Sequence, residues 1–128
     1  MPAREPFQYA VMRVVPRVER GEFVNAGVVL FCRPLRFLGA RTTLDEAAVA
    51  ALAPGCDLDG VRARLEAAER IAAGDPAGGP IAALPPSERF HWLVAPSSTV
   101  VQPSPVHTGL TDDPAGELER LFASLVAR

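Results

Sequence analysis

The sequence contains no lysine and few cysteines or histidines, and these shortages exclude several classes of site. All 13 basic residues are arginine, so a phosphate-binding loop ending in Gly-Lys-Ser/Thr cannot occur. The two cysteines, Cys32 and Cys56, and the two histidines, His91 and His107, lack the paired spacing of a zinc site. The GxGxxG, HExxH and GxSxG patterns are also missing. We therefore expect no metal, no cofactor and no catalytic centre of these known types.

Long apolar runs are missing as well. No segment reaches the roughly 18 apolar residues of a membrane span, and no signal peptide is recognisable. We expect a cytoplasmic protein with reduced thiols and no membrane partner. Its 128 residues, 48% of them apolar, predict a single domain over residues 1–128.

The net charge of −2 gives no general attraction to nucleic acid or anionic membranes. Its distribution is uneven, because residues 1–43 hold seven Arg and three Glu, whereas residues 44–128 hold six Arg and twelve acids. A basic sheet beside acidic helices would explain this asymmetry, and so would ion pairing within the molecule. Ion pairing is the preferred interpretation because surfaces of mixed sign are normal.

Three short apolar runs near the N-terminus predict an antiparallel meander. They cover Phe7–Val15, the central stretch Glu22–Arg33 and Phe37–Leu44, with short polar connections between them. Aspartates at capping positions and apolar stripes then predict helices over 45–52, 57–73 and 113–127. Residues 87–93 fit a short helix after a proline pair or an alternating strand, and we prefer the helix. The predicted fold class is α+β: an antiparallel β-meander sheet of three to five strands with helices packed on one face.

The central strand has one apolar and one partly polar face. Its even positions, from Val24 to Cys32, form a continuous apolar face, and the other face is open around Asn25 and Gly27. If the strands pair in suitable register, Arg13 and Arg41 would share a face with Asn25. The alternative is that a glycine inside a strand only marks a bulge or bend.

The loop from Gln102 to Gly109 is the second polar feature. Its two prolines predict irregular structure, and with Arg89 it offers a candidate site of Gln102, Ser104, His107 and Thr108. The alternative is that these side chains bond the backbone of their own loop. Catalysis by Ser104 and His107 is not favoured, because no acid is evident to orient the imidazole.

Three segments carry a family resemblance: Tyr9–Pro16, Glu22–Leu30 and Ser98–Pro105. On these segments the chain resembles a bacterial family known only as domain of unknown function 3037, over nearly its whole length. The family has no established activity, so the resemblance assigns no catalytic residue. It implies a neighbouring gene for a HipA-like kinase and therefore a two-protein system.

These observations lead to one preferred function and two alternatives. The preferred function is a protein-interaction or regulatory module, acting with a partner such as the HipA-like kinase. The first alternative is a small-anion or phosphate-binding protein or enzyme, since arginine suits both phosphate and carboxylate. Nucleic-acid binding is the least favoured, and an exposed sheet edge would also allow a homodimer. The candidate binding residues are Arg13, Asn25, Arg41, Arg89, Gln102, Ser104, His107 and Thr108.

Overall fold

Five antiparallel strands form one open sheet in the computed structural model, which describes residues 3–127. The first three strands pair in the order β3-β2-β1, as expected for a meander. β4 and β5 both pair with β1 on its other side, one after the other. The strands are β1 (Glu5–Val14), β2 (Val24–Cys32), β3 (Phe37–Thr42), β4 (Val101–Pro103) and β5 (His107–Thr111).

Four α-helices accompany the sheet, and local sequence explains where most of them begin. Asp45, Asp57 and Asp113 each accept a hydrogen bond from a backbone amide in the first turn of the helix that follows. Proline occupies the first position of the third and fourth helices, where its missing N–H has no helical partner to lose. The helices are α1 (Glu46–Leu52), α2 (Leu58–Ala73), α3 (Pro86–Leu93) and α4 (Pro114–Leu125).

The α+β class is confirmed, but the helices cover both faces of the sheet and not one. Val29 and Phe31 of β2 pack with residues of α1, α2 and α3, so we call this side the three-helix face. Val28 and Leu30 pack with α4 on the opposite side, the α4 face. Both faces of β2 are apolar at this end, and each must therefore be buried against a separate layer.

A β-bulge in β2 overturns the prediction of one continuous apolar face. Met12 pairs with Gly27 and Arg13 pairs with Asn25, so Ala26 is an extra residue in β2. Because one extra residue reverses the alternation of side chains, Val24 and Ala26 join the three-helix face. Asn25 consequently lies on the α4 face, together with Arg13.

The prediction of irregular structure over 102–109 is wrong at both ends, which are strands. Pro103 is tolerated because β4 is an edge strand and needs no outward N–H. Between the two strands, Ser104 keeps the chain bound to β1: its amide donates to the Val11 carbonyl (2.7 Å) and its Oγ accepts from the Val11 amide (2.8 Å).

β3 forms the opposite edge of the sheet. Glu69 of α2 blocks part of this edge, since its Oε1 accepts hydrogen bonds from the amide and the hydroxyl of Thr42 (2.8 and 2.6 Å). Homodimerisation through a sheet edge stays a prediction. Within the described residues, none of the helices has the length and apolar character needed to cross a bilayer.

Candidate binding surface

Three of the eight candidate residues come together on adjacent strands. Arg13 in the middle strand β1 pairs with Asn25 of β2 on one side and with Gln102 of β4 on the other. Directly opposed residues of antiparallel strands place their side chains on the same face. Arg13, Asn25 and Gln102 therefore form a polar row across the α4 face.

Arg13 is held in place by an aromatic ring. Its guanidinium carbon lies 4.2 Å from the ring centre of Phe23, which is the geometry of a cation–π contact. Its Nε is buried and has no hydrogen-bond partner among residues 3–127. Within that range Arg13 also makes no ion pair. The arginine is thus oriented by packing while its charge remains available.

Asn25 connects the polar row to the end of α4. Its Nδ2 donates to the backbone carbonyl of Leu125 at 3.1 Å, which satisfies one of the last carbonyls of the helix. Its Oδ1 is buried and finds no partner in the described part of the chain. Two directly paired residues therefore each keep one buried polar atom without a hydrogen bond to any described residue: the donor Nε of Arg13 and the acceptor Oδ1 of Asn25.

Two exposed apolar side chains border this polar row. Phe23 is 46% exposed and Leu125 is 36% exposed, although both are large hydrophobic residues. Arginine and aromatic residues are enriched among the side chains that dominate protein–protein binding energy. We call this area the Arg13 surface. It consists of Arg13, Phe23, Asn25, Gln102 and Leu125.

Gln102 has a second partner that limits its freedom. Its Nε2 donates to the carbonyl of Thr99 at 2.7 Å, which fixes the loop that precedes β4. Thr99 lies outside the segment 102–109, so the expectation that polar side chains bond the backbone of their own loop is met at Ser104, whose hydroxyl donates to the Pro105 carbonyl, and not at Gln102.

Arg41 lies on the α4 face but away from the Arg13 surface, because β3 is on the far side of β2. Its guanidinium carbon is 4.9 Å from the ring centre of Phe122, and its Nη1 is 3.7 Å from Glu119 Oε1. Arg41 borders a polar cleft of about 630 Å³ together with Glu69, Phe122 of α4 and the two residues 126 and 127 that follow α4. Its charge is already paired within the protein.

Ser104 and Thr108 do not reach the Arg13 surface. Ser104 is buried, and its hydroxyl both accepts from the Val11 amide and donates to the Pro105 carbonyl (2.9 Å). Thr108 pairs with Gln8, which places it on the opposite face of the sheet from Arg13. These two hydroxyls therefore do not form a site with Arg13.

His107 and Arg89 are also separated from Arg13. His107 stacks on Tyr9 with ring centres 5.3 Å apart, four residues along β1 from Arg13, a span of about 13 Å. Arg89 lies in the helical layer of the other face, where its Nη1 donates to the Ile71 carbonyl (3.3 Å) near the end of α2. Three of the eight candidate residues therefore lie together at the Arg13 surface, and the other five lie elsewhere in the protein.

The carboxylates of the β1–β2 connection belong to ion pairs. The hydrogen bond from Arg20 lowers the pKa of the Glu22 carboxyl, and a bond to its own backbone amide lowers the pKa of Glu19. Both groups stay ionised near neutral pH and are unsuited to proton transfer at that pH. Among residues 3–127 no cluster of His, Cys, Asp and Glu could hold a metal ion.

Sequence reasoning missed Phe23, Leu125 and the effect of the bulge. Gly27 inside a strand was the available sequence indication of the bulge. In the structure a Cβ at this position would lie 2.8 Å from the Arg41 carbonyl oxygen. Nothing local indicates that Phe23 stays exposed, since its position beside Arg13 depends on the pairing of two strands.

Residues 9–126 match the model of a family described as "Protein of unknown function (DUF3037)". The chain belongs to this family. All five residues of the Arg13 surface lie within the matched segment. No curated protein and no solved structure matches the chain.

Proposed function

We propose that this family member is a non-catalytic interaction module whose Arg13 surface binds a protein partner that presents a carboxylate. One observation carries the proposal: the Arg13 guanidinium is held against the exposed ring of Phe23 and makes no ion pair with any described residue. An oriented guanidinium loses less entropy on binding, and it can hold a carboxylate with two parallel hydrogen bonds.

Three other arginines support this choice of residue, because each of them already forms an ion pair with a glutamate of the protein. Exposed ion pairs of this kind contribute little to stability, but they reduce the attraction of each arginine for an external acid. The pairs are Arg17 with Glu19, Arg20 with Glu22, and Arg41 with Glu119.

A binding role also fits the side chains first considered for catalysis. Ser104 maintains the pairing of the sheet edge, and His107 packs on Tyr9. Among residues 3–127, neither side chain is hydrogen-bonded to a base or an acid in the way that nucleophilic catalysis requires. We further propose that the protein acts in the cytoplasm, and the HipA-like kinase is the first partner to test.

The test is affinity capture of the tagged protein from a lysate of its own organism, read by mass spectrometry. Arg13→Gln removes the charge, and Arg33→Gln is the matched control because Arg33 is exposed at the other end of β2. We expect one stoichiometric partner with wild type and Arg33→Gln, and loss of that partner with Arg13→Gln. Equal capture by all three proteins would contradict the proposal.

Binding of a small anion is the second candidate, and the Arg13 guanidinium favours it because it makes no ion pair with any described residue. Titration calorimetry with inorganic phosphate tests this directly. A saturable heat signal that Arg13→Gln abolishes, in a protein that captures no partner, would replace the protein-binding proposal with anion binding.

A further inference from the structure

A second surface, on the three-helix side of the sheet, forms a groove that shares Gln102 with the Arg13 surface. It has a volume of about 420 Å³ and is mostly apolar. We call it the Trp92 groove. It lies between α2, the end of α3, the segment 95–99 and the edge strand β4, and its apolar floor includes Met12, Ala68, Ile71, Leu93 and Val101.

The groove exists because α2 carries small side chains on the side that faces β4. Its residues 64, 67, 68 and 71 line the groove, a spacing that places them on one side of a helix. The two central positions are the alanines Ala67 and Ala68, which leave space between α2 and β4. Trp92 stands beside this space and is 53% exposed, an unusual condition for so large an aromatic side chain.

Hydrogen bonds within the protein hold the outer wall of the groove, which is formed by the segment 97–102. The hydroxyl of Ser97 shares a hydrogen bond with that of Thr99 (2.7 Å), and Thr99 Oγ1 donates to the Val101 carbonyl (2.9 Å). Gln102 adds its bond to the Thr99 carbonyl. A wall held by internal hydrogen bonds reduces the ordering cost that a ligand would otherwise have to offset.

The charged side chain at the groove is Arg64, and its positive charge indicates an anionic ligand. Arg64 lines the groove, and its exposed side chain makes neither a hydrogen bond nor an ion pair with the residues of segment 3–127. An apolar cleft of this volume with one charged side chain matches the sites that hold small molecules. We infer that the Trp92 groove binds a small amphiphilic carboxylate, with its apolar chain beside Trp92 and its carboxylate on Arg64.

The experiment uses the fluorescence of Trp92, which is the single tryptophan of the protein. Octanoate and 1-octanol are titrated separately, below micellar concentrations, because they share an apolar chain but differ in charge. We expect a saturable change in Trp92 emission with octanoate and a weaker affinity for octanol. Equal affinities would overturn the assignment of a carboxylate, and no saturable response to octanoate would overturn the site.

Two variants and one control locate the binding. Ala67→Leu fills the groove and should weaken octanoate binding at least about tenfold, whereas Ala73→Leu, an exposed position of the same helix outside the groove, should not. Arg64→Gln should weaken octanoate binding about fivefold and leave octanol unchanged. Equal affinities of Ala67→Leu and wild type for octanoate would overturn the proposal.

A wild-type measurement removes any dependence on how well the variants fold. Met12 is one of two methionines and borders the groove, so its methyl resonance in a protein labelled at methionine methyl groups reports occupancy. We expect this resonance to shift with octanoate along the same binding curve as Trp92 fluorescence. If instead a protein partner requires Trp92 and octanoate produces no shift, the groove belongs to a protein and the inference is overturned.

Discussion

Arg13 lies directly opposite Asn25 in the β1–β2 pair, immediately beyond the point where Ala26 is inserted into β2. The inserted residue places Asn25 on the α4 face, where it reaches the last turn of α4, and it leaves Arg13 beside Phe23. Bulges commonly reorient side chains in this way at functional positions. The bulge is thus the structural cause of the Arg13 surface.

Changing Gly27 to alanine should destabilise the protein more than changing Gly39 to alanine. A Cβ at Gly27 would meet a backbone atom, the Arg41 carbonyl oxygen, at 2.8 Å, whereas at Gly39 it would meet side chains of Phe37 and Leu118. Overpacking against backbone typically costs about 1–3 kcal/mol. Urea unfolding of the two variants measures the difference, and a larger loss at Gly39 would refute this explanation of the glycine.

Replacing Asn25 with alanine should loosen the end of α4. The hydrogen bond from Nδ2 to the Leu125 carbonyl is lost, and a bond of this type contributes about 1 kcal/mol. Hydrogen exchange should accelerate at the amides of Val126 and Ala127, which both donate to the Phe122 carbonyl. The amide of Gly74 at the end of α2 is the internal control. Unchanged exchange at Val126 and Ala127 would show that Asn25 does not secure the helix.

Replacing Ser104 with alanine should destabilise the protein by about 1–3 kcal/mol, because the Val11 amide then loses its acceptor. Thr108→Ala is the matched control, since Thr108 is an exposed hydroxyl in the same edge of the sheet. Thermal unfolding of the two variants provides the comparison. Equal melting temperatures would contradict the structural role of Ser104 and make a binding role for its hydroxyl the better explanation.

Binding of the partner should weaken as salt concentration rises. The proposed contact joins the Arg13 guanidinium to a carboxylate at a partly exposed site, and screening reduces such an attraction. Arg13→Gln should bind more weakly and show a smaller dependence on salt than wild type. Titrations at low and physiological ionic strength provide the measurement, and parallel salt dependences for the two proteins would exclude the ion pair.

Local sequence was sufficient for α1, α2 and α4, whereas the segment of α3 also fitted a strand. The caps at Asp57 and Asp113, with Pro114 at the first position of α4, act within one turn of the chain and require no distant partner. The apolar stripe of α2 fixes its orientation in the same way. These elements were therefore predictable with close bounds.

Elements that depend on distant pairing were predicted only in part, because the β1–β3 meander was expected but β5 and the bulge were not. Strand β5 follows two prolines and forms because β1 offers it an edge, with Ser104 bridging to Val11. The bulge at Ala26 is defined only by the register between two strands. The position of Phe23 beside Arg13 depends in turn on that pairing, so two of the five residues of the Arg13 surface, Phe23 and Leu125, were not predicted from the sequence.

The most direct test is side-chain oxidation by hydroxyl radicals, with and without the captured partner. Phe23 and Trp92 are both large exposed aromatics, 46% and 53% exposed, and they lie on opposite sides of the sheet. We predict that the partner slows oxidation of Phe23 and leaves the rate at Trp92 unchanged. Protection of Trp92 with no protection of Phe23 would contradict the account and move the interaction site to the three-helix face.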